Sequence, residues 1–187
     1  MTEQQIFEPD GRAIPYIVDG EGPVSLVLLS AGDLAKDGLG VVSHYLDEEA
    51  GFHIVRIGAR TGGATRAERV ADALELIDHL GLEHTWVGGY GAGGTIARAF
   101  AAANADRVNG LALLGVEAVE IPLVPVVPVL IIQASDDEVH RRADAEALQA
   151  LAPERISIKT VEGADRFFPA THPVETAVII EEYLDWD

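Results

Sequence analysis

Short runs of continuously apolar residues alternate along this chain with longer stretches whose apolar residues recur every three or four positions. The runs Ala13–Val18, Val24–Leu29, His53–Ile57, Thr85–Gly88, Val108–Leu114, Val127–Gln133 and Ile156–Val161 predict strands. Asp19-Gly20-Glu21-Gly22 marks a turn between the first two. Val108–Leu114 and Val127–Gln133 read as strands buried on both faces of a parallel sheet. Helices are predicted over 66–80, 93–103, 141–151 and 173–183. The first presents Val70, Leu74, Ile77 and Leu80 on one face, and Thr65 with Glu68 forms a capping box at its start. For the last, His172 is the expected N-cap, with Pro173 at the first helical position and Glu175 at the third. Strands joined by helices imply right-handed crossovers and a doubly wound, mostly parallel α/β sheet. Such sheets bind ligands beyond the carboxyl ends of their strands.

The length of 187 residues suits a single domain over 1–187. Thirty-one acidic against 13 basic side chains leave a net charge of −18, which repels phosphate backbones and anionic lipid. Nucleic-acid and membrane partners are therefore not expected. The longest apolar stretch, Ile121 to Ile132, is too short to span a bilayer and contains Pro122, Pro125 and Pro128. The polar, acidic start Met1-Thr2-Glu3-Gln4-Gln5 lacks a signal-peptide pattern. There is no cysteine, which excludes disulfides, thiolate metal sites and a cysteine nucleophile and fits a cytoplasmic chain. No residue spacing resembles a metal loop, so neither metal nor cofactor is expected.

The glycine-rich turn Gly88-Gly89-Tyr90-Gly91-Ala92-Gly93-Gly94 joins a predicted strand to a predicted helix and has two readings. Gly89, Gly91 and Gly94 satisfy the dinucleotide pattern G-x-G-x-x-G, with Glu117 at the end of the next strand. Alternatively, Gly89-Tyr90-Gly91-Ala92-Gly93 is a nucleophile elbow, G-x-S-x-G, with glycine in place of serine. Small residues two before and two after the nucleophile allow that sharp bend to close.

The rest of the chain favours the elbow. Ala67-Glu68-Arg69-Val70 through Leu80-Gly81-Leu82-Glu83-His84 into Val87-Gly88-Gly89-Tyr90 resembles the α/β-hydrolase segment that leads into the elbow. Ala103-Asn104-Ala105-Asp106-Arg107-Val108 resembles the family's segment between the elbow helix and the next strand. Pro128-Val129-Leu130-Ile131-Ile132-Gln133-Ala134-Ser135-Asp136-Asp137 resembles the strand and loop that carry the family's triad acid, which falls on Asp137. Glu162-Gly163-Ala164-Asp165-Arg166-Phe167-Phe168 resembles the loop that carries its histidine, a position held here by Arg166. The resemblance covers nearly the whole chain. About a dozen residues separate the strand ending near Leu114 from the next, where many members insert a helical lid. The expectation is thus an α/β-hydrolase fold without a lid domain.

Acyl transfer in this family needs a hydroxyl nucleophile, an imidazole base and a carboxylate that orients it. Gly91 has no side chain, and Arg166 stays protonated and cannot serve as base. Only Asp137 of the triad-equivalent residues keeps its chemistry. Loss of such groups removes about 10⁴- to 10⁶-fold of rate. Arg166 and Asp137 are expected to form a salt bridge in place of the missing hydrogen bond. By resemblance, the backbone N–H groups of Ala92 and Ala31 would form the oxyanion hole, a nest able to hold a small anion. Ser30, Tyr90 and Phe167 are expected to line the pocket. Ser30 and Ser135 read chiefly as loop hydrogen-bonders, and His44, His53, His79, His84 and His140 as structural or exposed. Trp86 reads as core packing and Trp186 as packing past the last helix. Three functions remain open: a pseudo-hydrolase that binds a small molecule, an ester or lactone hydrolase disarmed at Gly91 and Arg166, and a non-hydrolytic enzyme such as a lyase or isomerase that reuses the cleft. The open face could also serve a homodimer.

Overall fold

The computed structural model describes residues 3–124 and 126–185. Its strands are β1 (Gln5–Phe7), β2 (Ile14–Asp19), β3 (Ser25–Leu29), β4 (His53–Ile57), β5 (Thr85–Tyr90), β6 (Val108–Leu114), β7 (Val129–Ala134) and β8 (Ile156–Val161). They form one eight-stranded sheet in the order β1-β2-β4-β3-β5-β6-β7-β8. The β1–β2 and β2–β4 pairs are antiparallel, and the others are parallel. The helices are α1 (Gly40–Glu48), α2 (Arg66–His79), α3 (Ala92–Ala103), α4 (Arg142–Gln149), the single turn α5 (Phe168–Thr171) and α6 (Pro173–Leu184).

The apolar runs are continuous because alternate residues enter two different cores. Val27, Leu29, Leu111, Leu113, Val129 and Ile131 face one layer, which α2, α3 and α4 close with Leu76, Phe100 and Leu148. Leu26, Leu28, Ala112, Leu114, Leu130 and Ile132 face the other, closed by α1 and α6 with Leu46 and Ile180. Burial on both faces is what the period-2 geometry of a strand requires of a sheet covered on each side. The capping box forms: Thr65 accepts from the Glu68 N–H, and Glu68 accepts from the Thr65 N–H. Trp86 is half-buried, edge-on to Tyr183, and fills the space that a side chain at Gly110 would take.

Several features depart from the sequence-based expectations. The strand β1, the helix α1 and the turn α5 were not predicted. His172 makes no side-chain cap to α6; its Nδ1 lies 2.8 Å from the Thr171 hydroxyl instead, and Thr171 is itself in the turn α5 that the loop was not expected to hold. His53 is half-buried on β4, His79 stacks on Phe7, and His44 and His84 are exposed. Trp186 lies outside the described residues. Among the described residues, the connection from β6 to β7 contains no helix, so no lid covers the strand ends. No helix among them is long and apolar enough to cross a membrane.

Candidate functional site

The site is built where β5 turns into α3. Gly91 sits at φ +53°, ψ −116°, a conformation that side chains resist. Its N–H donates to the Leu114 carbonyl, which ties the turn to the end of β6. Gly89 and Gly93 meet the steric demand expected of an elbow. A Cβ at Gly93 would stand 1.9 Å from the Leu29 carbonyl oxygen, and one at Gly89 would run into Gly93. The first turn of α3 therefore rests directly on the backbone at the end of β3.

Asp137 lies just past β7 and has a fully buried side chain. Its Oδ1 accepts from the N–H groups of Val139 and His140, each at 2.8 Å. Those two bonds fold the loop back on itself and bring the His140 Nδ1 to 3.0 Å from Asp137 Oδ2. The His140 carbonyl is held in turn by the buried Gln133 amide at 2.6 Å. The imidazole lies in a slot between two glycines with positive φ, Gly91 and Gly115. A Cβ on Gly91 would lie 2.9 Å from His140 Nε2, and one on Gly115 would lie 2.9 Å from its Nδ1. A side chain at position 91 would therefore press on the imidazole of His140. His140 was expected to be structural or exposed. Its three-residue step from Asp137 is the one trace of this in the sequence, and the slot between Gly91 and Gly115 exists only in the fold.

The expected salt bridge between Arg166 and Asp137 does not form. Asp137 has its lone pairs satisfied within its own loop, and an arginine reaching it would lose its water for little gain. Arg166 remains exposed, with its guanidinium carbon 4.7 Å from the centre of the Phe167 ring. Tyr90 links the two loops. Its ring lies edge-on to His140 at 5.2 Å, and its hydroxyl donates to the Arg166 carbonyl. Burial raises the Tyr90 pKa above its ordinary value, the charges of Asp137 and Asp165 add to this, and Arg166 opposes it.

Ala31 and Ala92 are exposed, and among the described residues neither of their N–H groups finds an acceptor within the protein. Ser30 and Tyr90 line a cavity of about 330 Å³ together with Ala31, Asp33 and Lys36. Phe167 is half in solvent beneath Arg166 rather than in that wall. The Ser30 hydroxyl is committed to Asp37, which also holds the buried Arg56. Ser135 accepts from the Gly163 N–H. Glu117 accepts from the Thr95 hydroxyl on α3, so it does not wait for a ribose as a dinucleotide fingerprint requires. Among the described residues, no group of three or more His, Asp or Glu side chains could hold a metal ion.

No protein-family model matches this chain, and no curated protein matches it in sequence. Solved structures match it over essentially its full length. An α/β-hydrolase-fold protein from Chitinophaga pinensis superposes with a TM-score of 0.85 at 15% identity, covering 100% of this chain and 98% of that one. MGS-MChE2, an α/β-hydrolase from the metagenome of lagoon sediments of Mar Chica, gives 0.83 at 17% identity, with 98% of each chain covered. A thermophilic esterase from Thermogutta terrifontis gives 0.81 at 16% identity, with 99% and 98% covered. The architecture is the α/β-hydrolase fold.

Proposed function

We propose that this chain is a hydrolase-fold protein that binds a small ligand and does not run the serine acyl-enzyme reaction associated with its fold. One observation carries the reading: the nucleophile's position holds a glycine, and a side chain there would press on His140, which is anchored on Asp137. An acyl intermediate needs an atom there to bond the carbonyl carbon. The free N–H groups of Ala31, past the end of β3, and of Ala92, at the start of α3, support small-anion binding. The test is hydrolysis of a panel of short-chain aryl esters by the protein, by Gly91→Ser, and by Gly91→Ser/Arg166→His. The protein itself is expected to show no turnover above buffer, and an enzyme-like rate would sink the proposal. Activity gained in either variant would favour the disarmed-esterase alternative. The single variant would then be using His140 as base, and the double variant the restored histidine.

A second reading rests on the 3.0 Å bond between Asp137 and His140. An imidazole oriented by a carboxylate is a general base even without a serine, which suits a lyase or isomerase. On any substrate found, loss of the acidic limb of the pH–rate profile in His140→Gln would separate this reading from simple binding.

A further inference from the structure

A cleft on the other side of α3 contains an arginine whose situation is unlike that of its neighbours. Arg98 is only 8% exposed, yet among the described residues its guanidinium makes no hydrogen bond and no ion pair within 4.0 Å. The comparably buried Arg56 and Arg69 each have acceptors, Asp37 for the first and the carbonyls of Ser30 and Ala31 for the second. Arg107 and Arg155, less buried, also donate to backbone carbonyls. Burial pulls the Arg98 pKa below its ordinary value, Arg66 adds to this, and Glu117 partly offsets it. Glu117 attracts Arg98 without bonding to it, and one of its own oxygens is engaged by Thr95. A planar fork of five N–H groups thus finds no acceptor in the protein and is turned to the solvent of the cleft.

Arg98 lines a cavity of about 650 Å³ between the 116–122 loop and α4, a size ordinary for small-molecule sites. Val116, Ile121, Pro122, Leu148 and Leu151 supply apolar walls, and Glu120 and Asp144 stand with them.

We infer that this cavity is a binding site for a small monocarboxylate with an apolar body, its carboxylate gripped by Arg98. The fork matches a carboxylate bidentately, and a ligand that covers it would displace only water. Glu117, Glu120 and Asp144 place negative charge around the cavity, which repels a dianion such as a phosphate monoester more than a single carboxylate. The apolar walls reject small inorganic anions, which have nothing to bury against them. The site goes beyond the reading given above for Gly91 and His140: aryl-ester turnover would overturn that reading and leave this one intact.

Hexanoate is the probe, with hexanol and hexyl phosphate beside it, each titrated up to about 10 mM and monitored by ¹H–¹⁵N NMR. Hexanoate is expected to saturate and to shift the Arg98 side-chain Nε–H and the amides of 116–122 and 144–151. Hexanol and hexyl phosphate should bind at least about tenfold more weakly. Arg98→Gln should weaken hexanoate by about tenfold or more, while Glu120→Gln, an exposed change that leaves the fold alone, should tighten it about twofold. Equal binding of hexanoate and hexanol, shifts confined to Ala31, Tyr90 and Ala92, or no saturation would each overturn the inference. If Arg98→Gln fails to fold, the ligand comparison on the unaltered protein and the Glu120→Gln result decide it.

Discussion

At residue scale the decisive pair is Gly91 and His140, because the first lacks the side chain that would press on the second. The φ of +53° at Gly91 costs a side-chain-bearing residue about 1–3 kcal/mol, and a new Cβ would also press on the imidazole at 2.9 Å. Gly91→Ser should therefore lower stability in a urea titration by more than backbone strain alone. His140→Ala should cost about 1–3 kcal/mol by itself, since the buried Asp137 carboxylate loses a donor. Combining the two removes the steric part, so the double variant should be more stable than the sum of the single losses implies by about 1 kcal/mol. Strict additivity would show that the ring does not meet residue 91. Gly91 could be singled out because an elbow calls for small residues two before and two after it, and Asp137 through the resemblance of its loop to the family's acid loop. His140 could not be, because its ring meets Asp137 Oδ2 only through the fold of a loop that Asp137 Oδ1 holds by accepting from two of its amides. Arg166 misled for a related reason: its loop resembles the one that carries the family's histidine, but Asp137 is satisfied within its own loop.

At the scale of elements, the contact between α3 and β3 decides whether the turn exists at all. Gly93 touches the Leu29 carbonyl oxygen through backbone, which cannot rotate away as a side chain could. Gly93→Ala should cost about 4 kcal/mol or more and leave the protein largely unfolded at 37 °C by circular dichroism. Gly94→Ala is the control, because its Cβ would meet the nearest backbone atom at 3.0 Å, where a small shift suffices. Equal losses would mean that α3 does not rest on β3 in this way. The same contrast explains which elements could be read beforehand. The parallel strands and α2 announce themselves through unbroken apolar runs and a capping box. By contrast, α1 opens on Gly40 after Leu39, which offers no side-chain cap, and β1 is three mostly exposed residues held by antiparallel pairing and by Phe7 against His79. Their order comes from packing and pairing partners distant in sequence, which local patterns do not encode.

At the scale of the whole molecule, charge opposes the compact state. The excess of 18 negative charges is spread over 8838 Å² of surface, which puts uncompensated charges on the order of 20 Å apart. That spacing lies inside the Debye length of about 30 Å at 0.01 M salt and far outside the value of about 4 Å at 0.5 M. The repulsion is therefore felt across the molecule in dilute buffer and nearly abolished by salt. Ion pairs such as Arg12 with Asp72 and Glu75, Arg60 with Glu68, and Arg107 with Asp78 respond in the opposite sense. Asp72 is buried, but the other carboxylates of these pairs are exposed, and exposed pairs contribute about 0–1 kcal/mol each against 18 unmatched charges. Repulsion should win. The midpoint of thermal unfolding is expected to rise by about 3 °C or more between 0.01 and 0.5 M sodium chloride, measured at pH 7. A midpoint that falls instead would mean that the paired arginines outweigh the net charge, and the acidic surface would then count as a stabilising network rather than as a load the fold carries.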